Sequence, residues 1–423
     1  MQSRTRHFLV SAVIILASLI VALVVFSFRP GEELAIGNLV LRAQRGVSYP
    51  LRAPDDASRS PARLAPADDG VAAPRARNAV IFIGDGMGIG HVSAASDLLD
   101  RTGGTLVMMS SPFVSLVRTW ASNTLVTDSA ASGTSLATGF KTDKRMVGML
   151  PDGSIPRNLL EVARERGMAT GVLTTSGLVD ATPASFTTHV AHRERYDEIL
   201  EQMLDSGTTV LVGGDWLKMK KARRNERYCE LVSGVDELGG ARGYNVIRDP
   251  DAVASASLPI LALFSSRSDY AEQHGPRLAV SARRIVELLL EQDEGFVLVI
   301  ESEVTDELAH ANDIEAVMNG MRELDEAVAA VLGLVGESGD TLVLVTADHD
   351  TGALSLVDGY YEDEAATVRW STSYHTSHWV PLFAFGPGAE LFAGVLDNTE
   401  IAKLTARVLG LDPFPMLVDV GEG

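Results

Sequence analysis

Asn78-Ala79-Val80-Ile81-Phe82-Ile83-Gly84, followed by Asp85-Gly86-Met87-Gly88, is the stretch on which the fold turns. The first seven residues form a short apolar run with no alternation. Such a run, bounded by turn residues, reads as a strand covered on both faces. It stops abruptly at an acid set among glycines. The same pattern recurs at 170–175 (TGVLTT), 209–214 (TVLVGG), 296–301 (FVLVIE), 341–347 (TLVLVTA) and 380–386 (VPLFAFG). Between these runs, 157–167, 193–205, 281–292, 314–336 and 398–409 carry helical spacing. Alternating strands and helices predict an α/β three-layer sandwich with a largely parallel central sheet. Ligands in such sheets bind beyond the carboxyl ends of the strands. Acids gather there: Asp85 follows the first run, Asp180 lies in the loop after the second, Glu301 ends the fourth, and Asp348 and His349 follow the fifth. Each acid alone reads as a helix cap or a solvated loop residue. Their joint placement marks a site.

The glycine turn is not a dinucleotide fingerprint, because Ile89 and His91 stand where G-x-G-x-x-G needs glycine. Asp85 inside it would repel a pyrophosphate and makes better sense as a metal ligand. Gly139-Phe140-Lys141-Thr142 lacks the P-loop spacing. Val126-Thr127-Asp128-Ser129-Ala130-Ala131-Ser132-Gly133-Thr134 is small, polar and crowded, and Ser129 could open a helix whose amino-terminus favours an anion. Asp306 and His310, at i and i+4, share one face, and oxygen with imidazole suits zinc. Asp348-His349 ends a very apolar strand, where neither residue belongs without a partner. His375 lies in a loop before the last strand. His7, His91, His189, His192, His274 and His378 read as structural or surface residues.

Composition narrows the function. The chain has 423 residues with 36 Lys and Arg against 56 Asp and Glu, a net charge of −20. Binding nucleic acid through its phosphates is disfavoured at that charge. Cys229 is the single cysteine, which excludes an intramolecular disulfide and a cysteine-based zinc site. Aromatics are 6% of the chain, so the core rests on aliphatic residues and alanine. Residues 1–7 read as a cytoplasmic stub and 8–28 as a transmembrane anchor or uncleaved signal, an uncharged run of 21 preceded by Arg4 and Arg6. A cleaved signal peptide is the rival reading; either exports the rest, to the periplasm or the extracellular face. Residues 29–76, rich in Pro, Ala, Asp and Arg from 49 onward, read as an irregular tether. The compact domain is expected over 77–423.

Seven motifs, IGDGMG, TDSAASGT, ATGFKT, DATPASF, E-x4-D-x3-H, TADHDTG and H-T-x3-VP, occur in one order over 78–423. In this the sequence resembles the alkaline phosphatase family. The resemblance implies an alkaline-phosphatase-like catalytic domain that hydrolyses small phosphate monoesters through a phosphoserine, with two zinc ions and one magnesium. It implies Ser129 as nucleophile. Asp85, Asp348 and His349 would hold the first zinc, and Asp306, His310 and His375 the second. Asp180, Thr182 and Glu301, with Asp85, would hold the magnesium. Arg193, thirteen residues after Asp180, would clamp the phosphate, with Asp128 orienting it. Glu307 stands beside Asp306, where relatives often carry Lys, His or Trp; facing inward it would repel phosphate. The family also implies a homodimer. A phosphodiesterase or sulfatase on the same fold, or a non-catalytic metal- or phosphate-binding surface protein, are the alternatives. The stretch 215–280, with its KMKKARR cluster, matches no motif.

Overall fold

The computed structural model describes residues 33–36, 39–42, 76–99, 106–215, 217, 220–264, 277–336, 339–360 and 365–418. It divides into two compact units, 1–59 and 60–423. In the first, β1 (Glu33–Ile36) pairs antiparallel with β2 (Leu39–Arg42). A hairpin therefore stands within the segment expected to be an irregular tether. Its signal is two apolar runs split by Gly37-Asn38, a two-residue hairpin sequence. The expected anchor at 8–28 and the 49–75 stretch lie outside the described residues. Among the described residues no helix is long and apolar enough to cross a membrane.

The second unit is built on β3 (Asn78–Gly84), β4 (Phe113–Arg118), β5 (Ala169–Gly177), β6 (Val210–Gly214), β7 (Asn245–Ile247), β8 (Ile260–Phe264), β9 (Phe296–Ser302), β10 (Thr341–Thr346), β15 (Val380–Phe385) and β16 (Gly394–Asp397), with two short pairing strands and two ribbon strands between β10 and β15. These ten form one sheet in the order β16-β4-β15-β10-β3-β9-β5-β6-β8-β7. Only β15 runs against its neighbours; every other pairing is parallel. The expected parallel α/β sheet is confirmed, and β3, the strand first read, is central. Val80, Ile81, Phe82 and Ile83 are at most 1% exposed, and each such side chain contributes roughly 1.5–3 kcal/mol by burial.

Four strands were not legible as strands. The outermost, β7 and β16, are three and four residues long, as blunted sheet edges tend to be. β4 is buried only in part. β8 is fully buried but sits inside the unassigned 215–280 stretch. The expected helices appear as Leu159–Glu165, Tyr196–Asp205, Arg277–Leu290, Ile314–Val335 and Asn398–Leu409. The first is closed by a reciprocal cap, Asn158 Oδ1 accepting from the Glu161 N–H at 2.9 Å and Glu161 Oε2 from the Asn158 N–H at 2.8 Å. Ile314–Val335 packs with Arg277–Leu290 and Ile89–Leu98 in one group, and Ser129–Thr138 with Asn398–Leu409, Leu159–Glu165 and Ala181–Ser185 in another. The two groups sandwich the sheet.

Two minor pairings matter for the site. β11 (Asp350–Thr351) pairs with β14 (His375–Thr376), which sets Thr351 opposite His375. β12 (Ser355–Tyr360) and β13 (Ala365–Arg369) form an exposed antiparallel ribbon.

Candidate active site

Register brings the acids together. Ile83 pairs with Glu301 on one side of β3 and with Thr346 on the other. The three strands thus end level, and Asp85, Glu301 and Asp348-His349 leave them at one height. The glycines around Asp85 serve close approach: Gly86 has φ +72°, and a Cβ on it would lie 2.9 Å from the Asp306 Cα. At Gly88 a Cβ would fall 1.8 Å from Asp350 Oδ1.

Among the described residues three donor groups form, each offering atoms within 4.8 Å of one another. In the first, His349 Nε2 lies 3.4 Å from Asp85 Oδ1 and 3.2 Å from Asp348 Oδ2. In the second, Asp306 Oδ2 lies 3.2 Å from His310 Nε2, and Asp306 Oδ1 lies 3.7 Å from His375 Nε2. Here His310 Nδ1 contacts the Ser373 carbonyl at 2.7 Å and His375 Nδ1 the Thr127 carbonyl at 3.1 Å. Carbonyl partners at Nδ1 orient both rings so that Nε2 faces the centre. The His349 and His375 rings stack at 3.6 Å, so the two groups adjoin. The third group is Asp85, Glu301 and Glu303.

Of the four residues expected around magnesium, Asp85 and Glu301 meet, and Thr182 is buried with an unpartnered hydroxyl. Asp180 is otherwise engaged. Its Oδ1 accepts from the Ala181 N–H at 2.7 Å and from Arg193 Nη2 at 2.9 Å, and its Oδ2 from the Ser176 hydroxyl at 3.1 Å. Glu303 takes a place in the group that the sequence reading did not give it. Glu307 is exposed, whereas Asp306 beside it is 7% exposed. Of the two orientations open to Glu307, inward against a phosphate or out to solvent, its exposure favours the second.

Ser129 is the first residue of the helix Ser129–Thr138, and Asp128 caps it by accepting from the Ala131 N–H at 3.1 Å. The Ser129 hydroxyl lies 3.3 Å from His349 Nε2. The helix is pinned to the end of β10 by the Ser132 hydroxyl, which donates to the Asp348 carbonyl at 2.6 Å. Arg193 reaches Asp180, and its Nη1 lies 3.6 Å from Asp128. Asp128 and Arg193 are therefore neighbours, with Ser129 between Asp128 and the acids.

Arg145 joins these parts and was missed. Its backbone sits at φ +73°, a left-handed conformation costly for a side chain with a Cβ. There its N–H donates to both Asp128 oxygens at 3.2 and 3.1 Å, and its carbonyl accepts from the Arg193 N–H at 2.7 Å. Its guanidinium spans Arg193, donating to His192 Nε2 at 2.8 Å and to Glu194. The loop thus holds Asp128 and Arg193 in register. Thr351 was also missed; its hydroxyl donates to Asp306.

Electrostatics point to cations. Burial and mutual repulsion push Asp85 and Glu303 well above the ordinary carboxylate range, Glu301 up to about 8 and Asp348 up to about 7. Burial lowers His349, aided by His375. Burial opposes ionisation of Asp306, but the His310 hydrogen bond and the nearby imidazoles outweigh it and hold Asp306 low. The same hydrogen bond raises His310 to about 9. Asp85 Oδ1, Asp348 Oδ2, Glu301 Oε1, Glu303 Oε2 and Thr182 Oγ1 are buried without hydrogen-bond partners. Buried orphan acceptors on convergent acids, with imidazoles alongside, fit divalent cations.

A largely parallel sheet with acids and imidazoles converging at its carboxyl edge is the architecture of a metal-binding α/β site. The alkaline phosphatase family model matches residues 76–225 and 254–365. Alkaline phosphatase 3 of Bacillus subtilis is 28% identical over 79% of this chain and 89% of its own. Streptomycin-6-phosphate phosphatase of Streptomyces griseus is 30% identical over 79% of this chain and 91% of its own. Among solved structures, the cold-active alkaline phosphatase of a psychrophilic Shewanella superimposes with a TM-score of 0.69 at 27% identity, covering 78% of this chain and 99% of that one. The chain belongs to the alkaline phosphatase family, and its activity is hydrolysis of phosphate monoesters.

Proposed function

We propose that this hydrolysis runs through a phosphoserine at Ser129. The observation that carries the reading is the Ser129 hydroxyl, 3.3 Å from His349 at the head of its helix, with the orphan acids on one side and Arg193 on the other. The Ser129 oxygen attacks phosphorus in line, the P–O bond to the alcohol breaks, and the alcohol leaves. Water then hydrolyses the phosphoserine, returning the serine and inorganic phosphate. Arg193 offers a planar fork to two nonbridging oxygens, and the helix amino-terminus adds N–H groups and a partial positive charge. Asp85, Asp348 and His349 would hold one zinc ion and Asp306, His310 and His375 a second. Magnesium would lie by Asp85, Glu301 and Thr182, with Asp180 nearby. Bound there, the ions would supply Lewis acidity that makes the serine and the attacking water nucleophilic near neutral pH. Their charge would also let the site attract a dianion although the chain carries −20.

Hydrolysis of a chromogenic phosphate monoester and of the matching diester, with and without chelator, tests the reading. The monoester is expected to turn over at least ~100-fold faster, since a diester has one fewer charged oxygen for Arg193, a difference of ~2.7 kcal/mol. Chelator is expected to abolish both activities. A preferred diester, or turnover that survives verified metal removal, would overturn it.

The uncharged run 8–28 with Arg4 and Arg6 before it supports an exported enzyme held at the membrane. Alkaline extraction is expected to leave the full-length chain with the membrane; recovery of a soluble chain lacking about its first thirty residues would instead mean a cleaved signal. A homodimer belongs to this reading on family resemblance alone.

A further inference from the structure

We propose that Glu303 supplies a carboxylate oxygen to the third cation position, beside Asp85 and Glu301, while Asp180 is committed to Arg193. The proposal rests on the metal-dependent reading above.

The backbone explains how Glu303 arrives there. β9 ends at Ser302, and the Glu303 N–H donates to the Thr175 hydroxyl at 2.9 Å, on the neighbouring strand β5. Residues two apart along a strand direction face the same side, so Glu303 follows Glu301 toward the site. Glu303 precedes the helix Val304–His310 but makes no side-chain cap. Its carboxylate is therefore not used on that helix.

The oxygens themselves show where a cation fits. Asp85, Glu301 and Glu303 each place one within 4.8 Å of the others. Glu301 Oε2 accepts from the Thr174 hydroxyl at 2.5 Å and its Oε1 has no partner. Asp85 Oδ1 and Glu303 Oε2 are likewise shielded and unpartnered, and the buried Thr182 hydroxyl is a further unpartnered oxygen. Asp85 and Glu301 are 1% and 2% exposed, so water does not relieve them. Asp180, by contrast, has both oxygens satisfied, one of them by Arg193. An all-oxygen, carboxylate-rich set is the chemistry of magnesium or manganese rather than of a soft metal. With Glu303 the site holds six acids against three divalent ions, leaving the phosphate to Arg193 and the serine helix.

The experiment measures the metal directly. Wild type, Glu303→Gln, Glu303→Ala and Asp180→Asn are loaded with zinc and magnesium, dialysed against metal-free buffer and assayed by elemental analysis. Magnesium titration is followed by the melting temperature. Wild type is expected to retain three divalent ions per chain. Both Glu303 variants are expected to keep the zinc pair, lose the third ion, and need at least ~10-fold more magnesium for half of the thermal shift. Asp180→Asn is expected to keep the third ion and to weaken inhibition by inorganic phosphate. Glu303 variants that hold the third ion at wild-type half-saturation overturn the proposal. So does loss of that ion from Asp180→Asn alone. Tighter phosphate inhibition in Glu303→Gln with unchanged metal content would make Glu303 a partner of Arg193 and overturn it too. A wild type that takes up no third ion would bring down the three-metal reading itself, a result distinct from failure of the Glu303 variants.

Discussion

Ser129→Ala is expected to remove covalent labelling by phosphate at acid pH and to lower monoester turnover by at least ~10^3-fold, equivalent to ~4 kcal/mol of barrier. The hydroxyl opens a helix whose cap, Asp128, also faces Arg193 and receives the Arg145 N–H. Removing one oxygen leaves that scaffold standing. Asp85, Asp348 and His349 stay in place, so metal content is expected to match wild type. Alanine at the first helical position costs little in stability, because its helix propensity exceeds that of serine. Residual activity can come from a water attacking directly in the same electrostatic field. Undiminished labelling of Ser129→Ala would assign the nucleophile elsewhere.

Metal removal is expected to have the largest effect on stability, and the effect depends on pH in a defined direction. Asp85, Glu301, Glu303 and Asp348 are raised in the folded chain, Glu301 to about 8 and Asp348 to about 7, by burial and by one another. A raised carboxyl binds protons in the folded state that it has already lost in the unfolded one. Its contribution is therefore present below the unfolded value of ~4 and is lost as pH rises through the folded value. His310, raised to about 9 by Asp306, acts in the same direction; His349 and His375, lowered by burial, act against it only below the unfolded value of ~6.5. The chelated protein is thus expected to melt at least ~5 °C lower at pH 8.5 than at pH 5.5. Zinc and magnesium at pH 8.5 should restore at least ~10 °C, since they bind the folded site and not the unfolded chain. Glu301→Gln separates this from general repulsion in an acidic chain. It is expected to flatten the slope, whereas repulsion spread over the surface would leave it unchanged. A chelated wild type whose melting temperature is flat across this range, with metal loss verified, would argue against a convergent cluster.

The strands that carry the site were legible because their signal is local. In β3, β9 and β10 a continuous apolar run ends in an acid, and burial on both faces demands that run. The helix Ile314–Val335 was legible for a similar reason: Val317, Met321, Leu324, Val328 and Val331 recur at helical spacing and are all buried. β7 and β16 carried no such signal, because three or four residues at a sheet edge need neither length nor apolarity. The hairpin of β1 and β2 was legible in principle from Gly37-Asn38, yet the Pro- and Ala-rich stretch after it dominated the reading.

By itself the sequence determined the α/β class, β3 as a buried strand, the serine at a helix start, and the set of acids and imidazoles at strand ends. Each follows from periodicity or from a residue type in a motif. Only the tertiary structure decided which oxygens lie together without a hydrogen-bond partner, because that depends on which group claims each oxygen. Arg193 and Ser176 claim Asp180, and nothing claims Glu303 Oε2. It decided that His375 meets His349, through the pairing of β11 with β14 and a ring stack between residues 26 positions apart. It decided that Arg145 ties Asp128 to Arg193, through a left-handed backbone that no local pattern announces. Local sequence sets what each segment becomes, whereas convergence is set by strand order and register, which bring level the ends of segments hundreds of residues apart.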